Sequence, residues 1–258
     1  MKQPTVSVKN FSLTLGNKEI VHNLSFEIQP GEVFAFLGAN GSGKTSTIRA
    51  LIGLYEATKG TLHVNGRPYT AKDAQSVGYL PEERGLYTRV SAIDNLTYFG
   101  EMKGLPRAEA RRIGMEFLNE VGLGDKATLK LKKLSGGQQQ KVQLGVAVMG
   151  SPSLLILDEP TKGLDPVNRK LLLDIVDQHK KEGAAVIYIT HLMEEVERLA
   201  DRLIIIKDGR AEAYGTVKEV KKQFNATSIE EVFVGIYSDT PTKKELAKKK
   251  PASKKEAV

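Results

Sequence analysis

Cysteine is absent from these 258 residues. That removes disulfides, thiolate metal sites and cysteine nucleophiles, and it is compatible with a reducing cytosol. Long apolar runs are missing too. The strongest are "VFAFL" (33–37), "LLIL" (154–157), "AAVIYI" (184–189) and "LIII" (203–206), far short of the roughly 18 to 20 residues that cross a bilayer. The opening "MKQPTVSVKNFSL" has no apolar core of a secretory signal, and no internal repeat marks a tandem pair of units. What remains is ordinary globular material, 40% hydrophobic and 27% charged, long enough to bury a substantial core.

The net charge of +7 is unevenly spread. From Thr240 to Val258 seven lysines face two glutamates, so +5 of it lies in this tail and the rest of the chain is close to neutral. The Lys, Pro, Ser and Ala content predicts a disordered segment over 238–258. A solubilising tail is the plain reading, and contact with anionic lipid headgroups or RNA is the other. No specific nucleic-acid partner is expected.

The short apolar runs read as strands buried on both faces, as in a parallel sheet. Residues 5–37 alternate in strand fashion, and "VFAFL" feeds a glycine loop that opens the helix "KTSTIRALIGL", which stops at Gly53. The strand "GTLHVNG" follows, and "SVGYLPEERGLY" runs from a strand into an irregular loop. Helical spacing then takes over from about Ala92 to Gly122, giving a mostly helical block placed at about 83–140. Strand and helix alternate after it: "LLILDEP", a helix over 167–182, "AAVIYITH", a helix over 192–200, then "DRLIIIKDGRAEAYG" with a tight turn at Asp208-Gly209. A last helix, "SIEEVFVGIY", precedes the tail.

Two stretches have the form of phosphate sites. "GANGSGKT" (38–45) fits G-x-x-x-x-G-K-[ST]. Gly38, Asn40, Gly41, Ser42, Gly43 and Ser46 belong to a loop and helix start whose amides wrap phosphates. Lys44 brings a cation to the β/γ oxygens of ATP, and the Thr45 hydroxyl can ligate Mg²⁺. "KLSGGQQQKVQLG" (133–145) again opens a helix with paired glycines. At the carboxyl end of "LLILDEP", Asp158 is placed to hold Mg²⁺ and Glu159 to act as general base for the attacking water. His191, after "AAVIYIT", is placed to sense the terminal phosphate. His22, His63 and His179 show no clustering.

This order of phosphate loop, LSGGQ, LLILDEP, "KGLDP" and "ITH" resembles the nucleotide-binding subunits of ABC transporters over about residues 5–236, roughly nine tenths of the chain. The resemblance implies a phosphate-loop NTPase core of α/β class: a parallel sheet with flanking helices, an antiparallel β subdomain and a helical subdomain carrying LSGGQ. It implies one ATPase unit over 1–237. It further implies that two such chains associate head to tail, so that Ser135, Gly136, Gly137 and Gln138 of one grip the γ-phosphate of the ATP on the other. Asp165 would sit at that interface. The partners so implied are a separate membrane permease and a second ATPase subunit, a homodimer or a heteromeric pair, at the cytoplasmic face of the membrane. "YLPEERGLY" and "SIEEVFV" resemble the exporter branch that includes sodium-extrusion and drug-efflux cassettes.

The chain departs from the family pattern in three places. Alignment puts Leu15 where an adenine-stacking aromatic is usual, with Phe11 turned to the core, and Glu82 where a glutamine usually touches Mg²⁺ or the lytic water. Lys141 replaces a common arginine and carries no functional expectation. Two other functions stay open at this point: a soluble ATPase acting on RNA, the ribosome or another assembly, and a nucleotide-binding regulator that has lost hydrolysis.

Overall fold

The computed structural model describes residues 3–83 and 85–238. Apart from Ser238, the tail expected over 238–258 lies outside the described residues. In chain order β1 (Val6–Leu15) and β2 (Lys18–Ile28) form a hairpin, β3 (Val33–Leu37) leads into α1 (Lys44–Leu51), and β4 (Lys59–Val64) and β5 (Val77–Leu80) follow. Three helices come next, α2 (Ala92–Met102), α3 (Arg107–Glu120) and α4 (Gly136–Val148). Strand and helix then alternate through β6 (Leu154–Asp158), α5 (Pro166–Lys181), β7 (Ala185–Ile189) and α6 (Met193–Leu199). The hairpin of β8 (Arg202–Lys207) and β9 (Arg210–Thr216) precedes α7 (Val217–Phe224) and α8 (Ile229–Tyr237).

The strands form two sheets. An antiparallel one has the order β2-β1-β4, and a larger one the order β5-β6-β7-β3-β8-β9, parallel except for β9. The period of two along each central strand decides what covers it. Phe34 and Phe36 of β3, Ile156 of β6 and Ile187 of β7 pack with β1, β2 and α1 on one face. On the other face Leu155, Leu157, Val186 and Tyr188 meet the helical block, while Ala35, Leu37, Leu203 and Ile205 meet α6, α7 and α8. A strand covered on both sides has no room for polar alternation, which is why the apolar runs are unbroken. Phe11 is buried in the core, as expected.

The α4 helix lies directly on β5, and a Cβ at Gly78 would collide with the Ala147 carbonyl. Only glycine permits this approach. The expected hairpin turn is present, with φ of 48° at Asp208 and 75° at Gly209. The α7 helix was not read from the sequence. Its signal is a capping box, Thr216 with Glu219. Among the described residues, no helix is long and apolar enough to cross a membrane.

Candidate active site

Parallel strands deliver their carboxyl ends to one edge of a sheet. Here the loops after β3, β5, β6 and β7 close around a cleft of about 890 Å³. Asn40, Gly41, Ser42, Gly43, Lys44, Thr45 and Ser46 line it, and Glu82, Glu159 and His191 face them. Gly38 sits behind the loop and supplies a carbonyl.

The loop owes its shape to Gly43, which caps α1 at φ 104° and whose missing Cβ would press on the Ile20 carbonyl and Val21 at 3.2 Å. The first amides of α1 have no partner within the helix and open toward the cleft. Lys44 Nζ donates to the carbonyls of Gly38 at 2.7 Å and Ala39 at 3.1 Å, folding back over its own loop. Burial pulls its ammonium below the usual lysine value, and Asp158 and Glu159 partly offset that.

Asp158 ends β6 and is 7% exposed, and Glu159 beyond it is 9% exposed. Glu159 takes a left-handed φ of 49°, and its N–H donates to the Ile189 carbonyl at 2.9 Å, which ties it to β7. Burial first, then the Glu82 charge, pushes Asp158 up to about 6. Burial and then Asp158 push Glu159 up to about 7. Its Oε1 lies 3.3 Å from His191 Nε2 without the alignment of a hydrogen bond. Burial, then Lys44, lowers the His191 imidazole below its ordinary value.

These shifts set a pH dependence for the protein free of nucleotide and metal. Both carboxyls have folded values raised above their unfolded ones, so between about pH 4 and 7 the folded state holds protons that the unfolded state releases. The stability they contribute is present below pH 4 and is lost as pH rises through about 6 to 7. His191, lowered, acts in the opposite sense around its own titration. Glu159→Gln should therefore gain on the wild type as pH rises, by about 2 kcal/mol at pH 8 after discounting for solvent screening. Thermal melts in EDTA from pH 5 to 8 check it, and a variant-minus-wild-type difference that shrinks with pH contradicts it.

Thr45 and Glu82, which line the cleft, and Asp158, which is not among its lining residues but is within Coulombic range of Glu82 and Lys44, have hard oxygen donors, the kind Mg²⁺ takes. Among the described residues no group of three or more His, Cys, Asp or Glu forms a metal cage. Oxygen donors from separate loops suit an ion whose remaining positions are filled by substrate phosphates and water. The residues fit the group.

The helix-opening signature stands apart from this cleft. Ser135, Gly137 and Gln138 line a second concavity of about 380 Å³, together with Asp165 and Lys141. Gly136 is the first residue of α4. Ser135 Oγ accepts from the Gln138 N–H at 3.3 Å, and Gln138 Oε1 accepts from the Ser135 N–H at 3.0 Å. Asp165 caps α5, accepting from the amides of Val167 and Asn168 at 3.0 Å, and these bonds hold its carboxyl below the usual range. The two phosphate-type loops of one chain thus face different spaces.

Leu15 is not among the residues that line the first cleft. It is 37% exposed and pairs with Lys18 across the hairpin, and Lys18 and Ile20 line the cleft instead. Several further residues escaped sequence reasoning. Tyr237 of α8 accepts from the Ala39 N–H at 2.8 Å and donates to the Ile206 carbonyl, bracing the phosphate loop from behind. From α4, Gln140 Nε2 donates to the Pro160 carbonyl at 3.0 Å and Gln143 Nε2 to the Pro81 carbonyl at 2.9 Å. The only sequence signal for this pair was the polar run "QQQKVQ" in a helix that had to be buried.

The family model described as ABC transporter matches residues 21–162. An uncharacterised ABC transporter ATP-binding protein of Methanocaldococcus jannaschii is 42% identical over 218 residues, 84% of this chain and 80% of that one. The linearmycin resistance ATP-binding protein of Bacillus subtilis is 39% identical over 227 residues, 87% of this chain and 73% of that one. A solved structure of an ATP-binding subunit of an ABC transporter superposes with a TM-score of 0.84 at 31% identity, covering 91% of this chain and 100% of that one.

Proposed function

This chain belongs to the ABC transporter family as an ATP-binding subunit that hydrolyses ATP, and from that premise we propose that two copies, joined head to tail by two ATP molecules, drive a separate permease in export. The observation that carries the reading is the separation of the two phosphate-type loops. Lys44, Glu159 and His191 line one cleft, while Ser135 and Gly137 line another.

In this reading residues 1–237 form the ATPase unit. The amides of the phosphate loop bind the triphosphate, and Lys44 leaves its loop carbonyls for the β/γ oxygens. Glu159 orients the attacking water and takes its proton, with a proton affinity suited to neutral pH. His191 holds the terminal phosphate against it. Thr45, Asp158 and Glu82 would hold Mg²⁺, which neutralises charge on the phosphate oxygens when bound. Ser135, Gly136, Gly137, Gln138 and Asp165 act on the second subunit's nucleotide, and release of phosphate parts the pair. Leu15 would flank the adenine from the hairpin rather than stack on it.

Membrane attachment is peripheral, through the permease, at the cytoplasmic face. An exposed surface on the helical block supports a docking role. Tyr87, Val90 and Tyr98 are 52%, 37% and 42% exposed around a groove of about 390 Å³, on the segment that follows Glu82. A likeness to a Nod factor export ATP-binding protein, 36% identical over 213 residues, supports export over import. These relatives do not favour the alternative of an RNA- or assembly-directed ATPase.

The test is pull-down of the tagged full chain from detergent-solubilised membranes. A multi-span membrane protein in about equal amount, whose presence stimulates ATP turnover, is the expected result. Co-sedimentation with ribosomes in its place would overturn the transport reading.

A further inference from the structure

A carboxylate and an ammonium meet across the mouth of the nucleotide cleft, and neither belongs to the phosphate loop. Lys162 Nζ lies 2.7 Å from Glu82 Oε1, with the two side chains 66% and 50% exposed. Both line the cleft. Each is held by its own backbone anchor. The Lys162 N–H donates to the Glu159 carbonyl at 3.1 Å, so a tight turn sets it at a fixed offset from the general base. Glu82 lies between Pro81 and Glu83, whose carbonyls both accept from Gln143 Nε2, at 2.9 and 3.3 Å.

An exposed ion pair adds little to folding stability, so its partners exchange readily when stronger ones arrive. The stronger partners are the two components of the substrate. Triphosphate carries concentrated negative charge into a cleft lined by Glu82 and Glu159, with Asp158 in Coulombic range, against Lys18, Lys44, Lys162 and Arg169, the last of which already lies 3.6 Å from Glu195. In the pair as it stands, Glu82 cancels Lys162. A divalent cation prefers the carboxylate, and a phosphate oxygen prefers the ammonium.

We propose that Lys162 is a second phosphate-binding cation of this cleft, held in reserve by Glu82 until Mg²⁺ engages that carboxylate. The inference rests on the nucleotide reading of the cleft and on Glu82 as a metal ligand. Lys162 is within Coulombic range of the reacting groups: its charge lowers Asp158 and Glu159 and bears on His191. The arrangement makes nucleotide affinity depend on metal through a pair of side chains, beyond the direct metal–phosphate contact. Metal-free ATP meets a neutralised Lys162, while MgATP meets a freed one.

Equilibrium binding of ATP, measured by calorimetry with Mg²⁺ and again with EDTA, tests it on the full chain. Lys162→Gln should weaken MgATP binding about tenfold, the scale of one hydrogen bond to a charged group, and leave metal-free binding within about twofold. Lys162→Arg should retain most of the MgATP affinity. Glu82→Gln should tighten metal-free binding and narrow the gap between the two buffers. Lys44→Ala separates the levels of failure. If it leaves binding intact in both buffers, the nucleotide reading of the cleft itself falls. If it weakens binding while Lys162→Gln matches the wild type in Mg²⁺, only the role of Lys162 is overturned. Thermal melts without nucleotide identify any variant that has lost its fold, and Lys162→Ser then takes the place of Lys162→Gln in the same two buffers.

Discussion

Glu159→Gln protein should hydrolyse ATP between about a hundredfold and ten-thousandfold more slowly than the wild type while binding it normally. With ATP and Mg²⁺ it should then accumulate as a dimer that the wild type forms only transiently. The amide has the shape of the acid but cannot accept the water's proton. Glu159 is placed for that proton: burial and the neighbouring Asp158 bring its carboxyl to about 7, where a base both exists unprotonated and binds a proton well. Its backbone is pinned to β7 through the Ile189 carbonyl at 2.9 Å, so the substitution leaves the site in register. Light scattering with and without nucleotide is the measurement. A dimer only in the variant, and only with ATP, supports both the base and the shared site. Unchanged turnover would remove Glu159 from the chemistry.

Ser135→Arg should abolish steady-state turnover, by at least about a hundredfold, the scale for removing a donor from a charged transition state. ATP affinity of the isolated chain should stay unchanged. The reason is spatial. Ser135 opens α4 in a concavity separate from the one that Lys44 lines, so arginine there blocks the second subunit's phosphate and not the chain's own. Loss of the Ser135 cap costs about 1 kcal/mol of stability, too little to unfold the chain. The stronger form of the test mixes Ser135→Arg with Lys44→Ala protein. Each should be inactive alone. One composite site in the mixed pair combines an intact phosphate loop from the first with an intact signature from the second, and turnover should return. Activity absent from the mixture but present in a wild-type control at equal concentration would sink the head-to-tail arrangement.

Legibility followed periodicity. The buried strands β3, β6, β7 and β8 were readable because a strand covered on both faces must be apolar throughout. Strand ends were readable as sites because the fold sends every parallel strand to the same edge. The α7 helix escapes a reading by apolar runs because its eight residues carry only three apolar contacts, Val217, Val220 and Phe224, among Lys218, Glu219, Lys221 and Lys222. Alignment to a family pattern offers Leu15 for the base, and the hairpin also brings Lys18 and Ile20 to the cleft. The β1 strand shifts register between Val8 and Phe11, Phe11 and Leu13, and Leu13 and Thr14, each shift alters which side chains face inward, and nothing local in "VKNFSLTLGNKE" reports it.

The sequence by itself determined the candidate chemistry: which loops have the form of phosphate sites, which acids follow the strands, and that there are two such loops. Local composition suffices for that, since glycine conformations and helix starts are short-range properties. Only the tertiary structure decided who meets whom. It set Lys162 against Glu82, placed Gln140 and Gln143 of the signature helix on the loops carrying Glu159 and Glu82, braced the phosphate loop with Tyr237, and put the two phosphate-type loops in separate spaces. Those contacts join segments tens to nearly two hundred residues apart. They arise from how the sheet stacks its layers, and no window of sequence contains both partners.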